Sequence, residues 1–272
     1  MADRGKRPNL SPRLSKEFLL KSRLLVILCI EVLLTLSLVA GGLRGNSQGT
    51  AAHSGPEVDF RNFPIVDLDS PEPSDASSRT WRANKSKKYN KKSQPKISEL
   101  TNATFVVNEE LGKLPALPVE RSSVILAGEI VSAKAYLSED KTSVYSEFEV
   151  RIETIFKNKS KQVLSPRDLI SIERFGGRVR LPSGKLFIGA VDNQDMPRVG
   201  SRYVLFLTND FGITHSDEDF NLLIGYELKG GKVFPLDRVS TKHPIYRYLN
   251  VDESKLIADL SSALTEVRSL PN

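Results

Sequence analysis

The sequence predicts a mainly β domain with a C-terminal α-helix, carried on an N-terminal transmembrane helix. Three observations support this prediction: an apolar run near the N-terminus, a following stretch poor in large apolar residues, and strand-like segments separated by turn residues beyond residue 100. We expect five parts in order along the chain: a basic cytoplasmic leader (1–23), a transmembrane helix (24–43), a disordered linker (44–100), an exported β-domain (101–250) and an amphipathic helix packed on it (251–270).

Residues 24–43 are almost all apolar and would form a helix about 30 Å long, which matches the hydrocarbon core of a bilayer. The leader carries two acids, Asp3 and Glu17, against seven basic residues: Arg4, Lys6, Arg7, Arg13, Lys16, Lys21 and Arg23. By the positive-inside rule, the N-terminus stays in the cytoplasm and the C-terminal domain is exported. The predicted location is therefore the cell membrane, with a single crossing.

A cleaved signal peptide is the alternative, because small residues follow at 37–42. The apolar run is longer than the roughly 7–15 residues of a signal-peptide core, which favours a retained anchor. Glu31 lies inside the run, where a charge costs about 2.5–3.5 kcal/mol on insertion scales. We interpret it as protonated or bonded to Thr35, with pairing to a partner helix as the other interpretation.

Composition limits the remaining choices. The net charge of +6 comes mostly from the leader, so the exported part is close to neutral, which argues against nucleic acid as the partner. The single cysteine, Cys29, lies in the apolar run. The exported part therefore has no disulfide and no cysteine metal site, and its core alone must hold it together.

The linker at 44–100 is rich in Ser, Pro, Asn, Asp, Lys and Gly, which predicts disorder. It ends in a basic run that also contains Trp81 and Tyr89, namely Arg79, Arg82, Lys85, Lys87, Lys88, Lys91, Lys92 and Lys96. Such a run could hold anionic lipid headgroups, envelope polymers or nucleic acid. No periodicity gathers these charges on one face, so we favour a solvated linker.

Beyond residue 100, eight segments are typical of strands: 124–133, 144–156, 169–175, 178–181, 186–191, 202–208, 222–228 and 232–236. From Val144 to Ile152 apolar and polar residues alternate, with Ser146 on the apolar face, which predicts one buried and one wet face. Residues 203–207 are apolar on both faces and predict a central strand.

Glycine pairs at 176–177 and 230–231 lie between strand-like runs, where hairpins require positive φ angles. After Asp252, apolar residues recur at helical spacing, namely Leu256, Ile257, Leu260, Leu264 and Val267. Several strands with hairpins and one terminal helix predict a small barrel, OB-like, or a sandwich.

The segments Gly128–Ser132 and Tyr145–Lys157 resemble uncharacterised exported bacterial domains. More distantly, residues 120–236 are similar to the OB-like barrel of netrin and tissue-inhibitor-of-metalloproteinase domains. That inhibitor family depends on an N-terminal cysteine and several disulfides, which this chain lacks. The resemblance therefore implies a fold and no inhibitory mechanism.

No motif for a nucleophile, a phosphate loop, a metal or a cofactor is present, so we assign no catalytic residue, no metal ligand and no cofactor. His53 lies in the linker, and His215 and His243 lie in predicted loops. The acids that follow His215, at 217–219, could bind calcium weakly, but they match no EF-hand spacing and are interpreted as a surface turn.

One group of charges in the folded part is a candidate site for an anion or a partner. It consists of Arg174, Arg178, Arg180, Lys185, Arg198 and Arg202. An arginine-rich hairpin can clamp carboxylates or phosphates. The alternative is a solvated face balanced by glutamates on adjacent strands, namely Glu147, Glu149, Glu153 and Glu173.

Taken together, these features favour a membrane-anchored, exported module that binds an anionic envelope component or a protein partner, or that serves as envelope scaffold. Two alternatives stay open. One is an enzyme with an unrecognised site around the 174–202 hairpin, with Arg178, Arg180 and His215 as members. The other is an OB-type oligonucleotide binder, against which export argues.

Overall fold

The computed structural model describes residues 58–100, 104–106, 109–209 and 219–269, which form a mainly β fold with a C-terminal helix. The predicted leader, the apolar run with Cys29 and Glu31, residues 44–57, and His53 and His215 lie outside the described residues. In the described part, the helices are α1 (Ala76–Ser86), α2 (Glu109–Lys113) and α3 (Glu253–Ser269). The strands are β1 (Ile65–Asp67), β2 (Thr104–Val106), β3 (Val124–Leu137), β4 (Val144–Asn158), β5 (Leu169–Phe175), β6 (Gly177–Arg180), β7 (Leu186–Val191), β8 (Arg202–Thr208), β9 (Phe220–Lys229), β10 (Lys232–Pro235) and β11 (Val251–Asp252).

The eight strands predicted from the sequence are confirmed as β3 to β10, with ends that shift by a few residues. Three further strands were missed: β1, β2 and β11 are only two or three residues long. So short a segment has no room for an alternating pattern. The predicted terminal helix is confirmed as α3.

The larger sheet is built on the antiparallel neighbours β3, β4 and β5. β8 pairs with β3 on its other side, and β9 pairs antiparallel with β8. The start of β9 also pairs in parallel with β5, through Phe220 and Asn221. The pairings among these five strands therefore form a closed cycle in the order β3, β4, β5, β9, β8 and back to β3. From β9 the sheet is extended by β10 and then β11.

A smaller four-stranded sheet has the order β1-β6-β7-β2. The chain passes from β5 into this smaller sheet through Gly176. The φ of Gly176 is +109°, a backbone conformation that glycine adopts readily and residues with a side chain rarely adopt. The Gly176–Gly177 pair was predicted to close a hairpin, and this prediction is wrong because β5 and β6 belong to different sheets. The Gly230–Gly231 pair closes the β9–β10 hairpin as predicted, with both residues at positive φ.

Two hydrophobic clusters lie on opposite faces of β8. Tyr203, Leu205 and Leu207 point into one cluster, and Val204 and Phe206 point into the other. The predicted two-sided burial of this strand is therefore confirmed. The second cluster also buries Leu256 and Leu260 of α3, so the helix packs on the sheet face.

The alternation predicted for β4 is confirmed from Phe148 to Ile152, because Val150 is buried while Glu149 and Arg151 are exposed. It fails at the start of the strand. Tyr145, predicted on the wet face, is fully buried, and Glu147 is half-buried. Residues 76–91 lie over this end of the strand and exclude water from both side chains.

The prediction of a disordered linker is wrong for residues 58–100. Leu68 and Ile97 are buried in a third hydrophobic cluster, which includes Val144, Val179 and Phe187. We call residues 69–96, between these two anchors, the flap; it contains α1 and a 3-10 turn at Lys87–Tyr89. The sequence was misleading because the flap is held to the sheet by ion pairs and one tyrosine, and not by a run of apolar residues.

Candidate functional site

Arg174, predicted as part of an anion-binding hairpin, is an internal residue. Its guanidinium lies 2.6 Å from the Asp237 carboxylate and donates to the Asp195 carbonyl at 2.8 Å. The side chains of Arg174 and Asp237 are 1% and 0% exposed. A buried pair of this kind leaves no free guanidinium for a ligand, so Arg174 holds β5 against the loops that follow β7 and β10.

Arg178 and Arg180 on β6 are engaged by the segment that contains β1. Arg178 donates to the carbonyls of Phe63 and Arg61 at 2.8 and 2.9 Å. Arg180 pairs with Asp67 at 3.1 Å, with both side chains more than half exposed. The expected availability of these two arginines fails because β1 lies in parallel beside β6.

The remaining members of the predicted group are scattered. Arg202 forms a bidentate ion pair with Glu153, at 2.8–3.0 Å. This agrees with the alternative prediction, in which glutamates on adjacent strands balance the arginines. Lys185 is exposed in the turn between β6 and β7. Of the six residues, Arg198 is the one that lines the cavity described next. The structure therefore does not gather the six residues into one recognition face.

That cavity is a cleft of about 460 Å³ beside the β9–β10 hairpin. Its lining combines charged groups with an apolar wall, and consists of Asp195, Arg198, Tyr203, Glu227, Lys229, Gly230, Phe234, Pro235, Leu236 and Arg238. Three cations therefore face two carboxylates. A few polar groups that converge in a partly apolar cleft are typical of a small-ligand site.

Asp195 is the most buried charged group of the cleft, with a side chain that is 2% exposed. Its carboxylate accepts from Arg238 at 3.2 Å and from the backbone N–H of Met196 at 2.8 Å. Burial raises the pKa of Asp195 in spite of these bonds. The neighbouring Asp237 carboxylate accepts from the backbone N–H of Asp195, and burial raises the pKa of Asp237 as well. The cleft therefore contains a carboxyl group that takes up a proton more readily than an exposed aspartate does.

Tyr203 and Arg198 also line the cleft. The Tyr203 hydroxyl accepts from the Arg198 N–H at 3.0 Å, and burial raises the pKa of Tyr203 to about 12. The phenol therefore stays neutral at physiological pH. The bond fixes the backbone of Arg198 while its half-buried side chain lines the cleft.

A second group of charged residues lies between the flap and the sheet, and the sequence did not predict it. Glu173 on β5 receives Lys85 at 2.7 Å, the Lys88 ammonium, and the Tyr89 hydroxyl at 2.5 Å. Its side chain is 0% exposed. Three donors therefore compensate the burial of this carboxylate.

Two further carboxylates complete this flap cluster. Glu147 on β4 accepts from Arg82 and Lys85 at 2.5 and 3.1 Å. Asp219 pairs with Lys85 and Lys88 at 3.2 and 3.1 Å. Burial alone would raise the pKa of Asp219, but the two ammonium groups outweigh burial and hold this pKa below its usual value.

The basic run was predicted to have no charged face, and this is wrong for its central part. Arg82, Lys85 and Tyr89 are three and four residues apart, which is helical spacing, and all three point toward the sheet. Arg79, Lys87, Lys92 and Lys96 are exposed. The signal could have been found by testing this helical period within residues 76–89.

No cluster of three or more His, Cys, Asp or Glu side chains that could hold a metal occurs within residues 58–100, 104–106, 109–209 and 219–269. His243, predicted as a loop residue, caps the 3-10 turn Pro244–Tyr248 by accepting from the Ile245 N–H. Of the acids at 217–219, only Asp219 is described, and it takes part in the flap cluster.

Comparisons of the chain with protein-family models, with curated proteins and with solved structures found no match. Among the helices of the described residues, none has both the length and the apolar character needed to cross a membrane. The predicted transmembrane segment at 24–43 lies outside those residues.

Proposed function

We propose that the protein is a membrane-anchored, exported binding module whose β-domain takes an anionic envelope component into the cleft beside the β9–β10 hairpin. The observation that carries this proposal is the convergence of Arg198, Lys229 and Arg238 on one cleft of about 460 Å³. Arginine is well suited to bind carboxylate or phosphate. The apolar wall of Phe234 and Pro235 would cover the uncharged part of the ligand.

The proposed fold of the domain is an OB-like barrel. The support is the cycle of pairings among β3, β4, β5, β9 and β8, together with the parallel pairing of β5 with β9. Val150 and Leu205 pack in one hydrophobic cluster inside this cycle. In such a barrel the cleft would lie where β8 begins and β9 ends.

Binding can be tested with purified peptidoglycan sacculi, which carry carboxylates, in a co-sedimentation assay. We expect the full chain in detergent to sediment with sacculi at low salt. Arg198→Gln should reduce the bound fraction about tenfold, mainly through its salt-sensitive part. Lys185→Gln is the matched control, because Lys185 is exposed outside the cleft and should bind like the wild type. Equal sedimentation of Arg198→Gln and wild type would refute the assignment.

The membrane anchor is proposed from residues 24–43 and the basic leader. Carbonate and high-salt washing of membranes should leave the protein in the pellet. A soluble product that begins near Gly41 or Gly42 would establish a cleaved signal peptide instead. Glu31→Leu should leave retention unchanged or strengthen it, because it removes an insertion cost.

An enzyme that uses the same cleft is a second candidate, and the raised pKa of the buried Asp195 favours it. A carboxyl group of this kind can act as a general acid. The test is release of soluble fragments from sacculi by the full chain, with Asp195→Asn as the inactive control. Binding without any release would leave the non-enzymatic module as the function.

A further inference from the structure

The sheet surface beneath the flap carries a set of groups suited to a cationic ligand. Glu147 and Glu173 are direct neighbours on β4 and β5. Asp219 pairs with the ammonium groups of Lys85 and Lys88, which belong to the flap. Like charges placed directly opposite each other destabilise a sheet. The surface therefore needs cations to be stable when water is excluded from it.

Aromatic side chains accompany these carboxylates. Tyr145 stacks face to face on Tyr89 of the flap, with ring centroids 4.0 Å apart. The Lys91 ammonium lies 4.3 Å above the Phe175 ring, in the geometry of a cation–π contact. The surface thus contacts the flap through two features of the flap, its positive charges and an aromatic ring.

The flap supplies both features through side chains. Within the part of the chain that the structure describes, no backbone-to-backbone hydrogen bond joins residues 71–95 to any residue outside the flap. The backbone takes part only through side-chain partners, such as the Thr142 hydroxyl that accepts from the Lys91 N–H. Both ends of the flap are fixed separately, by Leu68 and Ile97 in the third hydrophobic cluster. The flap can therefore lift without breaking a strand pairing.

We infer that this surface of β4 and β5 is a binding site for a lysine-rich peptide segment that contains an aromatic residue, and that the flap occupies it as an exchangeable internal ligand. A buried carboxylate of this surface is stable only while a cation pairs with it, whichever segment supplies that cation. A partner segment with the same charges can therefore replace the flap at little net cost. The site is separate from the cleft and stands or falls independently of the proposed function.

The experiment uses the full chain in detergent and a synthetic peptide with the sequence of residues 78–92, in which the tryptophan is replaced by phenylalanine. Trp81 is the single tryptophan of the chain and lies on the flap, with Arg82 and Lys85 over its ring. When it is excited at a wavelength that tyrosine does not absorb, its fluorescence reports displacement of the flap, and the peptide, which then holds tyrosine but no tryptophan, adds no signal.

We expect the Lys85→Gln/Lys88→Gln chain to bind this peptide at least tenfold more tightly than the wild type, because its own flap competes less well. Lys87→Gln/Lys92→Gln is the matched control, since both lysines lie in the same segment and are exposed. This variant should bind the peptide as the wild type does. A peptide with Gln at the positions of Lys85 and Lys88, or a chain with Glu173→Gln added, should lose binding.

Absence of peptide binding to a folded Lys85→Gln/Lys88→Gln chain would overturn the inference. If that variant does not fold, hydrogen exchange of the wild type decides the question. Amides of α1 should exchange through a local opening that added salt promotes, at least tenfold faster than amides of β4. Exchange of α1 and β4 at one common rate would show that the flap does not lift by itself, and would also overturn the inference.

Discussion

Glu147 and Glu173 face each other across β4 and β5, and the Lys85 ammonium bridges them at 3.1 and 2.7 Å. Two adjacent carboxylates on a covered sheet surface would repel each other if the ammonium were absent. The flap and the sheet therefore depend on each other. The flap buries and neutralises the carboxylates of the sheet, and the sheet buries and neutralises the lysines of the flap. This relationship explains why a segment with the composition of a linker is ordered.

Tyr89 should account for a large part of the flap's stability. Tyr89→Ala removes the stack on Tyr145 and the hydroxyl that donates to Glu173, and should lower the free energy of unfolding by about 3 kcal/mol. Trp81→Ala is the comparison on the same segment, and it should cost less than about 1 kcal/mol because Trp81 is 52% exposed. Urea denaturation monitored by circular dichroism measures both. A larger loss for Trp81→Ala would show that the flap docks through its other face.

Two arginines of the predicted recognition group should behave differently. Arg174→Gln leaves Asp237 buried without its partner and should cost about 3–5 kcal/mol of unfolding free energy. Arg180→Gln breaks only the exposed pair with Asp67 and should stay within about 0.5 kcal/mol of the wild type. Thermal melts compare the two variants directly. Similar melting temperatures would mean that the Arg174–Asp237 pair is not buried in solution.

The strands were predictable from the sequence because each has a face that must avoid water. The alternation from Phe148 to Ile152 and the two-sided burial of residues 203–207 follow from period and hydropathy alone. The burial of Tyr145 did not follow, because it depends on a tyrosine 56 positions earlier in the sequence. Local patterns assign a face to a strand, but they do not say which distant segment covers that face.

The candidate sites were less predictable for the same reason. Arg198 was predicted as a member of the arginine-rich hairpin and lines the cleft, but Asp195, Asp237 and Arg238 follow no periodic pattern and meet only through loops. Arg178 was placed on a predicted free face because the sequence did not reveal β1 beside it. Charge positions alone do not separate a guanidinium that waits for a ligand from one that already has a partner.

The register of β4 can be tested with two adjacent substitutions. Val150→Asp places a carboxylate in the hydrophobic cluster that also contains Leu205 of β8. This change should lower the unfolding free energy by about 3 kcal/mol or more. Glu149→Lys should cost less than about 1 kcal/mol, because Glu149 is exposed and accepts one bond from the Ser132 hydroxyl. Chemical denaturation of both variants gives the comparison. Equal losses would contradict the alternation and the strand pairings that rest on it.

Asp219 gives the flap cluster a defined pH dependence. Lys85 and Lys88 hold the pKa of Asp219 below its usual value, against the opposing effect of burial. A carboxyl group whose pKa is lower in the folded than in the unfolded chain stabilises the fold above its unfolded pKa of about 3.9, and this contribution disappears as pH falls through the folded pKa. Asp219→Asn should therefore be less stable than the wild type at pH 7, by about 1–2 kcal/mol.

The difference between wild type and Asp219→Asn should close as pH falls through the lowered pKa of Asp219, because the wild-type carboxyl is then also neutral. Urea denaturation at pH 7, 5, 3.5 and 2.5 measures it. Asp67→Asn serves as the control, because Asp67 pairs with Arg180 at a site where both side chains are more than half exposed and should show little difference at any of these pH values. A constant loss for Asp219→Asn from pH 7 to 2.5 would mean that the shape of the side chain matters at this position and its charge does not. The ion pairs with Lys85 and Lys88 would then contribute nothing to holding the flap on the sheet.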